Sequence, residues 1–162
     1  MLKDMLLAEL DHELATTKRL LDRIPNGRLA WKPHEKSMSL GRLGKHVANI
    51  PNWAPFILNR VELDLADAPL AHGEPASFDD IATLFDQART SARHALEKTD
   101  AELAALWLLK RNGHELFAMP RLSAYRSFVV NHLIHHRGQL SVYLRLNDIP
   151  VPAIYGPTAD EG

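Results

Sequence analysis

The chain contains no cysteine among its 162 residues. Disulfide bonds, thiolate metal ligands and cysteine nucleophiles are therefore excluded from the polypeptide itself, and any thiol chemistry needs an external thiol. No apolar run approaches the roughly 20 residues that cross a bilayer. The N-terminal residues carry acidic side chains every few positions and do not match a signal peptide. We therefore expect a cytoplasmic protein that has no membrane partner.

The chain also has no excess of charge of either sign. It contains 19 Lys and Arg residues and 20 Asp and Glu residues, so its formal net charge is −1. The basic patch that holds nucleic acid is not evident, so we expect no nucleic-acid partner. Hydrophobic residues make up 46% of the chain, enough for a sizeable core, and the length fits a single domain over residues 1–162. The compositional oddity is the 9 histidines, of which His132, His135 and His136 lie close together.

Hydrophobic periodicity predicts four long amphipathic helices. Their predicted ranges are about Leu2–Ile24, Leu40–Leu65, Phe78–Lys98 and Leu122–Leu146. We expect Pro51 and Pro55 to kink or loosen the second helix. A short helical turn over Thr99–Leu103 and a short hairpin or extended crossing around Asn112-Gly113 come before the last helix. The pattern favours an all-α four-helix bundle with long crossover connections over residues 2–146, followed by an extended, proline-rich tail over residues 147–162.

The histidines supply the main functional signal. His132 and His136 are four residues apart and fall on the inward face of the last predicted helix, while His46 lies in the apolar stripe of the second. Core histidines that bond to backbone or carboxylate groups are the simpler explanation for one such residue. Burial of three imidazoles without a common partner costs several kcal/mol, so the set favours a shared divalent ion. Three histidine ligands leave an open coordination position, which is typical of catalytic zinc, and we expect His135 to lie outside the ligand set.

Two motifs and the tail resemble one known family over essentially the whole chain. The segments Leu40–His46 and Asn131–Leu140, the latter with a His-x-x-x-His-Arg-Gly-Gln core, and the tail Val151–Glu161 are similar to the DinB (DinB/YfiT-like) family. The resemblance implies a four-helix bundle whose divalent metal is held by His46, His132 and His136. It also implies a homodimer. Related members are thiol-dependent transferases or isomerases that use bacillithiol, mycothiol or glutathione, and many others have no demonstrated activity.

The first functional hypothesis is a metal-dependent thiol S-transferase that acts on a small electrophilic substrate. Its cofactor would be a zinc or nickel ion, with a low-molecular-weight thiol as cosubstrate, which suits a chain without cysteine. Arg137, Arg126 and Arg121 are candidates for holding a ligand carboxylate, although a surface or salt-bridging role is the more common one for Arg137. Gln139 is placed to orient a metal-bound water or a ligating imidazole, and Trp53 either lines the pocket or packs in the core.

Two alternatives use the same histidines. A metal-hydroxide hydrolase would need no thiol but would favour a nearby carboxylate base, which the histidine stripes do not supply. A non-catalytic metal-binding stress or interaction protein would close the ion with a fourth protein ligand. We expect a homodimer whose interface uses apolar residues of the first or third helix, or of the segment Trp107–Phe117.

Overall fold

The computed structural model of the protein describes residues 2–68 and 73–161. Most of these residues are helical, and a small sheet is formed by strands from two separate parts of the chain. In chain order the elements are α1 (Leu2–Leu21), α2 (Leu40–Asn49), α3 (Trp53–Leu58), β1 (Glu62–Asp64), α4 (Phe78–Ala95), α5 (Asp100–Ala104), β2 (Leu106–Arg111), β3 (His114–Pro120), α6 (Arg121–Tyr125), a π-helix (Arg126–Asn131) and α7 (His132–Leu146). No helix in the described ranges is long and apolar enough to span a bilayer.

The helices α1, α2, α4 and α7 surround a shared hydrophobic core. Helix α1 contacts α4 and α7, and α2 contacts the same two helices, so the four form a closed ring of neighbours. Each buries apolar side chains in this core. Fully or almost fully buried examples are Leu10, Leu14, Leu43, Val47, Phe85, Ala88, Leu140 and Leu144. This ring places α2 directly against α7, and the histidines lie on these two helices.

The prediction of one long second helix is wrong beyond Leu58. Helix α2 ends at Asn49, a 3-10 turn containing Pro51 follows, and α3 ends at Leu58. Prolines lack the backbone N–H that continues a helix, which accounts for the break. The residues after Leu58 form β1, in which Leu63 is buried between its exposed or partly exposed neighbours. That alternation has the period of a strand and not of a helix.

The predicted all-α fold class is therefore an incomplete description of the protein. The strands β1, β2 and β3 form a sheet in that order. Strand β1 pairs in parallel with β2, with Glu62 opposite Leu108. The predicted hairpin is confirmed as β2 and β3, which pair in antiparallel fashion. Asn112 and Gly113 join them with φ angles of 51° and 79°. Positive φ at both turn residues gives the tight turn whose twist suits a hairpin, and Asn-Gly is its preferred sequence.

A buried ion pair ties the tail to the helices. Arg137 on α7 is 1% exposed, and its Nη2 lies 2.6 Å from Oε2 of Glu13 on α1. Arg137 also donates to the Glu13 carbonyl at 3.0 Å and to the hydroxyl of Tyr155 in the tail. That hydroxyl in turn donates to Glu13 Oε2 at 2.8 Å. Two packed helices and the extended tail thus share one charged network, in which Arg137 and Glu13 are buried and Tyr155 is largely exposed.

We predict that Arg137→Met lowers the free energy of unfolding by about 3–5 kcal/mol, because it leaves the Glu13 carboxylate buried without its counter-ion. Urea denaturation of the metal-free protein measures the loss. Arg126→Met is the matched control, since Arg126 also pairs with a glutamate of α1, at 2.7 Å, but is exposed. It should cost about 1 kcal/mol or less. Equal losses in the two variants would contradict the role given to the buried network.

Candidate metal centre

Three histidine side chains meet where α2 packs against α7. The Nε2 atom of His132 lies 3.3 Å from Nε2 of His46 and 2.9 Å from Nε2 of His136. One ring nitrogen from each of the three lies within 4.8 Å of the others. All three rings are half-buried. The structure therefore brings together the three residues predicted from helical spacing, although 86 residues separate His46 from His132.

The position of His46 depends on how closely α2 can approach its neighbours. Ser39 caps the helix, because its Oγ accepts from the backbone N–H of Arg42 at 3.0 Å. Gly44, one half-turn before His46, packs so tightly that an added Cβ would lie 2.5 Å from Cδ1 of Ile24. A larger residue at this position would require the end of the Ile24 side chain to move.

A π-helix comes directly before His132 and shapes its environment. The backbone N–H of His132 donates to the carbonyl of Val129, and the carbonyl of Phe128 accepts from the His132 imidazole. Because Nε2 faces the other two rings, the donor to Phe128 is Nδ1. This bond selects the tautomer whose Nε2 lone pair points into the cluster. Single π turns are frequent at functional sites, but no side-chain pattern predicted this one.

Gln139 orients the third ring. Nδ1 of His136 lies 2.7 Å from Oε1 of Gln139, so His136 donates from Nδ1 and keeps its Nε2 lone pair for the cluster. The amide of Gln139 also contacts Nε2 of His135 at 3.2 Å. Gln139 thus has one of the two contacts predicted for it, the one to an imidazole. The exposed His135 lies outside the group of three, and its ring meets that of His136 in an edge-to-face contact at 4.8 Å.

The three imidazoles are held in the neutral form. Burial, followed by the nearby rings of His136 and His132 and the charge of Arg42, lowers the pKa of His46 to about 4. Burial is also the main reason that the pKa values of His132 and His136 are lowered. Neutral rings have free lone pairs near pH 7, and free lone pairs are what a metal ion needs.

The geometry fits a divalent ion. Zinc–nitrogen bonds of about 2.0–2.1 Å in a tetrahedral shell separate the ligand nitrogens by about 3.3 Å. The distances of 3.3 and 2.9 Å from His132 Nε2 to the nitrogens of His46 and His136 are close to this value. Within residues 2–68 and 73–161, the group that could hold an ion consists of His46, His132 and His136 and includes no carboxylate. Such a donor set leaves room for an exogenous ligand.

The arginines predicted to hold a ligand carboxylate are engaged elsewhere. The prediction that Arg137 holds a ligand carboxylate is wrong, because its guanidinium is buried against α1. The alternative, a surface or salt-bridging residue, is confirmed in its salt-bridging form. Arg126 pairs with Glu9, and Arg121 donates to the carbonyl of Arg60 at 3.1 Å. Trp53 is partly buried and stacks on Phe128 at 6.3 Å. A missed contributor is Phe128 itself, because it acts through a backbone carbonyl.

Comparisons with known proteins show the family and the fold of this chain. The DinB family model matches residues 1–162, and the chain belongs to that family. YrdA of Bacillus subtilis (strain 168) is 28% identical over 159 residues, which cover 98% of this chain and 90% of that protein. A crystal structure of a DinB-like protein from Bacillus cereus ATCC 10987 is similar at 26% identity with a TM-score of 0.68, covering 90% of this chain and 92% of that one. The DinB-like protein YjoA of Bacillus subtilis shares the fold at 21% identity and a TM-score of 0.71, covering 95% of this chain and 99% of that one.

We predict that the protein binds one zinc ion per chain and that His132→Ala removes this binding. Loss of an outer hydrogen-bond partner costs about 10–100-fold in metal affinity, so loss of a ligand should cost at least about 100-fold. Competition with a chromophoric zinc chelator measures both affinities. His135→Ala is the matched control on the same helix and should stay within about tenfold of the wild type. Equal zinc affinity in His132→Ala and the wild type would contradict the assignment.

Proposed function

We propose that this DinB-family protein is a metal-dependent thiol S-transferase that joins a low-molecular-weight thiol to a small electrophile. The observation that carries the proposal is the convergence of three neutral imidazoles with no fourth protein ligand in the group that could hold a metal among the described residues. The proposal takes the ring of α1, α4, α2 and α7 as a DinB-type four-helix bundle and zinc or nickel as the ion. When bound, the ion supplies Lewis acidity that lowers the pKa of a coordinated thiol.

The residues of the chain have separate tasks in this proposal. His46, His132 and His136 bind the ion through Nε2. Gln139 and the Phe128 carbonyl hold two of these rings in the required tautomer and orientation. The chain has no cysteine, so the reacting sulfur comes from a cosubstrate. The transfer forms a carbon–sulfur bond, the leaving group departs with its electron pair, and the thiol proton passes to solvent.

The two alternatives have less support from the geometry. A hydrolase would use a carboxylate as general base, and the described part of the chain places no Asp or Glu in the histidine group. A purely structural ion is usually enclosed by four protein ligands, and the same group offers three. A purely structural ion would also give no use to the groove that opens beside His136.

We predict that zinc- or nickel-loaded protein accelerates the reaction of at least one of glutathione, bacillithiol and mycothiol with 1-chloro-2,4-dinitrobenzene. In this probe reaction the thiol sulfur displaces chloride and the thiol proton is released, so absorbance of the dinitrophenyl thioether reports the rate. Several kcal/mol of Lewis-acid stabilisation corresponds to at least about 100-fold. Chelation or His132→Ala should return the rate to the spontaneous value, and His135→Ala should not.

The proposal fails if none of the three thiols is consumed faster than spontaneously with either metal while zinc binding is intact. A rate that survives both chelation and His132→Ala would also contradict it, since the activity would then not arise at the histidine centre.

A further inference from the structure

A surface groove of about 470 Å³ opens directly beside the histidine cluster. One wall is the connection between α1 and α2, and the other is α7, which contributes His136 and Gln139. Because His136 belongs to both the cluster and the groove wall, a molecule in the groove lies next to the candidate metal centre. The volume is within the range of small-molecule sites.

Apolar side chains form much of the groove surface. Met38, Leu43, Val142 and Tyr143 line it, and Val142 is 56% exposed although its side chain is aliphatic. Tyr143 is held in place, because its hydroxyl donates to the Met38 carbonyl at 3.4 Å and its ring meets the edge of Trp31 at 5.6 Å. The two walls are thus fastened to each other, and an apolar ligand body would cover surface that now faces water.

The charge in the groove comes from one side chain. Among the described residues that line the groove, Lys36 is the charged one, and none carries a carboxylate. Within residues 2–68 and 73–161, Lys36 forms no ion pair. Its backbone N–H donates to Nδ1 of His34 at 3.2 Å, and the N–H of Ser37 donates to the His34 carbonyl at 3.0 Å. These bonds fix the turn that carries the ammonium group, so a cation without a counter-ion stands at an apolar groove.

We propose that this groove binds the acceptor substrate of the transfer, and that this substrate is a small carboxylate with an apolar body. The carboxylate pairs with Lys36, the body lies along Met38 and Val142, and the reactive carbon faces His136. The assignment as acceptor rests on the proposed function. Low-molecular-weight thiols have polar peptide or sugar bodies, which suit these walls less well than an apolar acceptor does.

Three probes that differ only in their head group test the proposal: 4-phenylbutyrate, 4-phenylbutan-1-ol and 4-phenylbutylamine. Each is titrated into metal-free protein, so that no carboxylate can bind through an ion, and amide shifts in NMR spectra give the location and affinity. The carboxylate should bind about three- to tenfold more tightly than the alcohol, as expected for one partly exposed ion pair. The amine should bind most weakly. Shifts should be concentrated at Ser37, Met38 and Val142.

Lys36→Gln should remove the preference for the carboxylate and leave the affinity for the alcohol unchanged. Lys32→Gln is the matched control, because Lys32 lies on the same connection but lines a different groove. It should retain the full preference. Equal affinity of the wild type for all three probes, an unchanged preference in Lys36→Gln, or shifts confined to another groove would each overturn the proposal.

If the metal-free protein binds the carboxylate through Lys36 but no thiol transfer occurs with zinc or nickel, the transferase assignment fails and the assignment of the groove as an acceptor site fails with it, while the carboxylate site remains. If thiol transfer occurs and the head group of the probe makes no difference, the groove proposal fails alone.

Discussion

Three half-buried imidazole rings, all held in the neutral form, pack against one another at the contact between α2 and α7. The need to hold them in place governs the surrounding structure. Burial lowers the pKa of each ring, with His46 at about 4. Two ring orientations are set from outside the cluster, by the Phe128 carbonyl and by Gln139. A site of this kind tolerates displacements of only about 0.5 Å, so the packing of α2 on α7 has to be fixed as firmly as the rings themselves.

Helix α7 is held on two faces at once. One face presents His132 and His136 to α2, and another buries Arg137 against Glu13 of α1, where Tyr155 of the tail completes the network. The adjacent residues His136 and Arg137 therefore serve different purposes: the first faces the candidate metal centre and the groove, and the second anchors the helix and the tail. On the other side of the cluster, Gly44 permits the close approach of α2 to Ile24. The Arg137–Glu13 ion pair, Gly44 and the π-helix together hold the three histidines in a defined arrangement, although the cluster is accessible from the surface.

The candidate site could be predicted from sequence because it depends on helical periodicity, which is local and strong. The spacing of His132 and His136, and the place of His46 in an apolar stripe, sufficed to name the set, and Gln139 followed from its position one turn further along. Strand β1 was missed because its alternation of buried and exposed residues covers only a few positions. The apolar periodicity of the helix before it predicted that the helix continued through these positions. The partners of Arg137 could not be found, since Glu13 and Tyr155 are distant in sequence. The π-helix and the Phe128 carbonyl act through the backbone and have no side-chain signature, and Lys36 lies on a connection whose path no periodicity determines.

The central claim is that these three histidines hold an ion with a position open to a thiol. X-ray absorption at the zinc edge, recorded on zinc-loaded protein before and after addition of a low-molecular-weight thiol, tests it most directly. We predict three imidazole nitrogens and an exchangeable light atom at about 2.0–2.1 Å, and a sulfur neighbour at about 2.3 Å once the thiol is present. A shell of four protein ligands that does not change when thiol is added, or a zinc spectrum without imidazole scattering, would contradict the account.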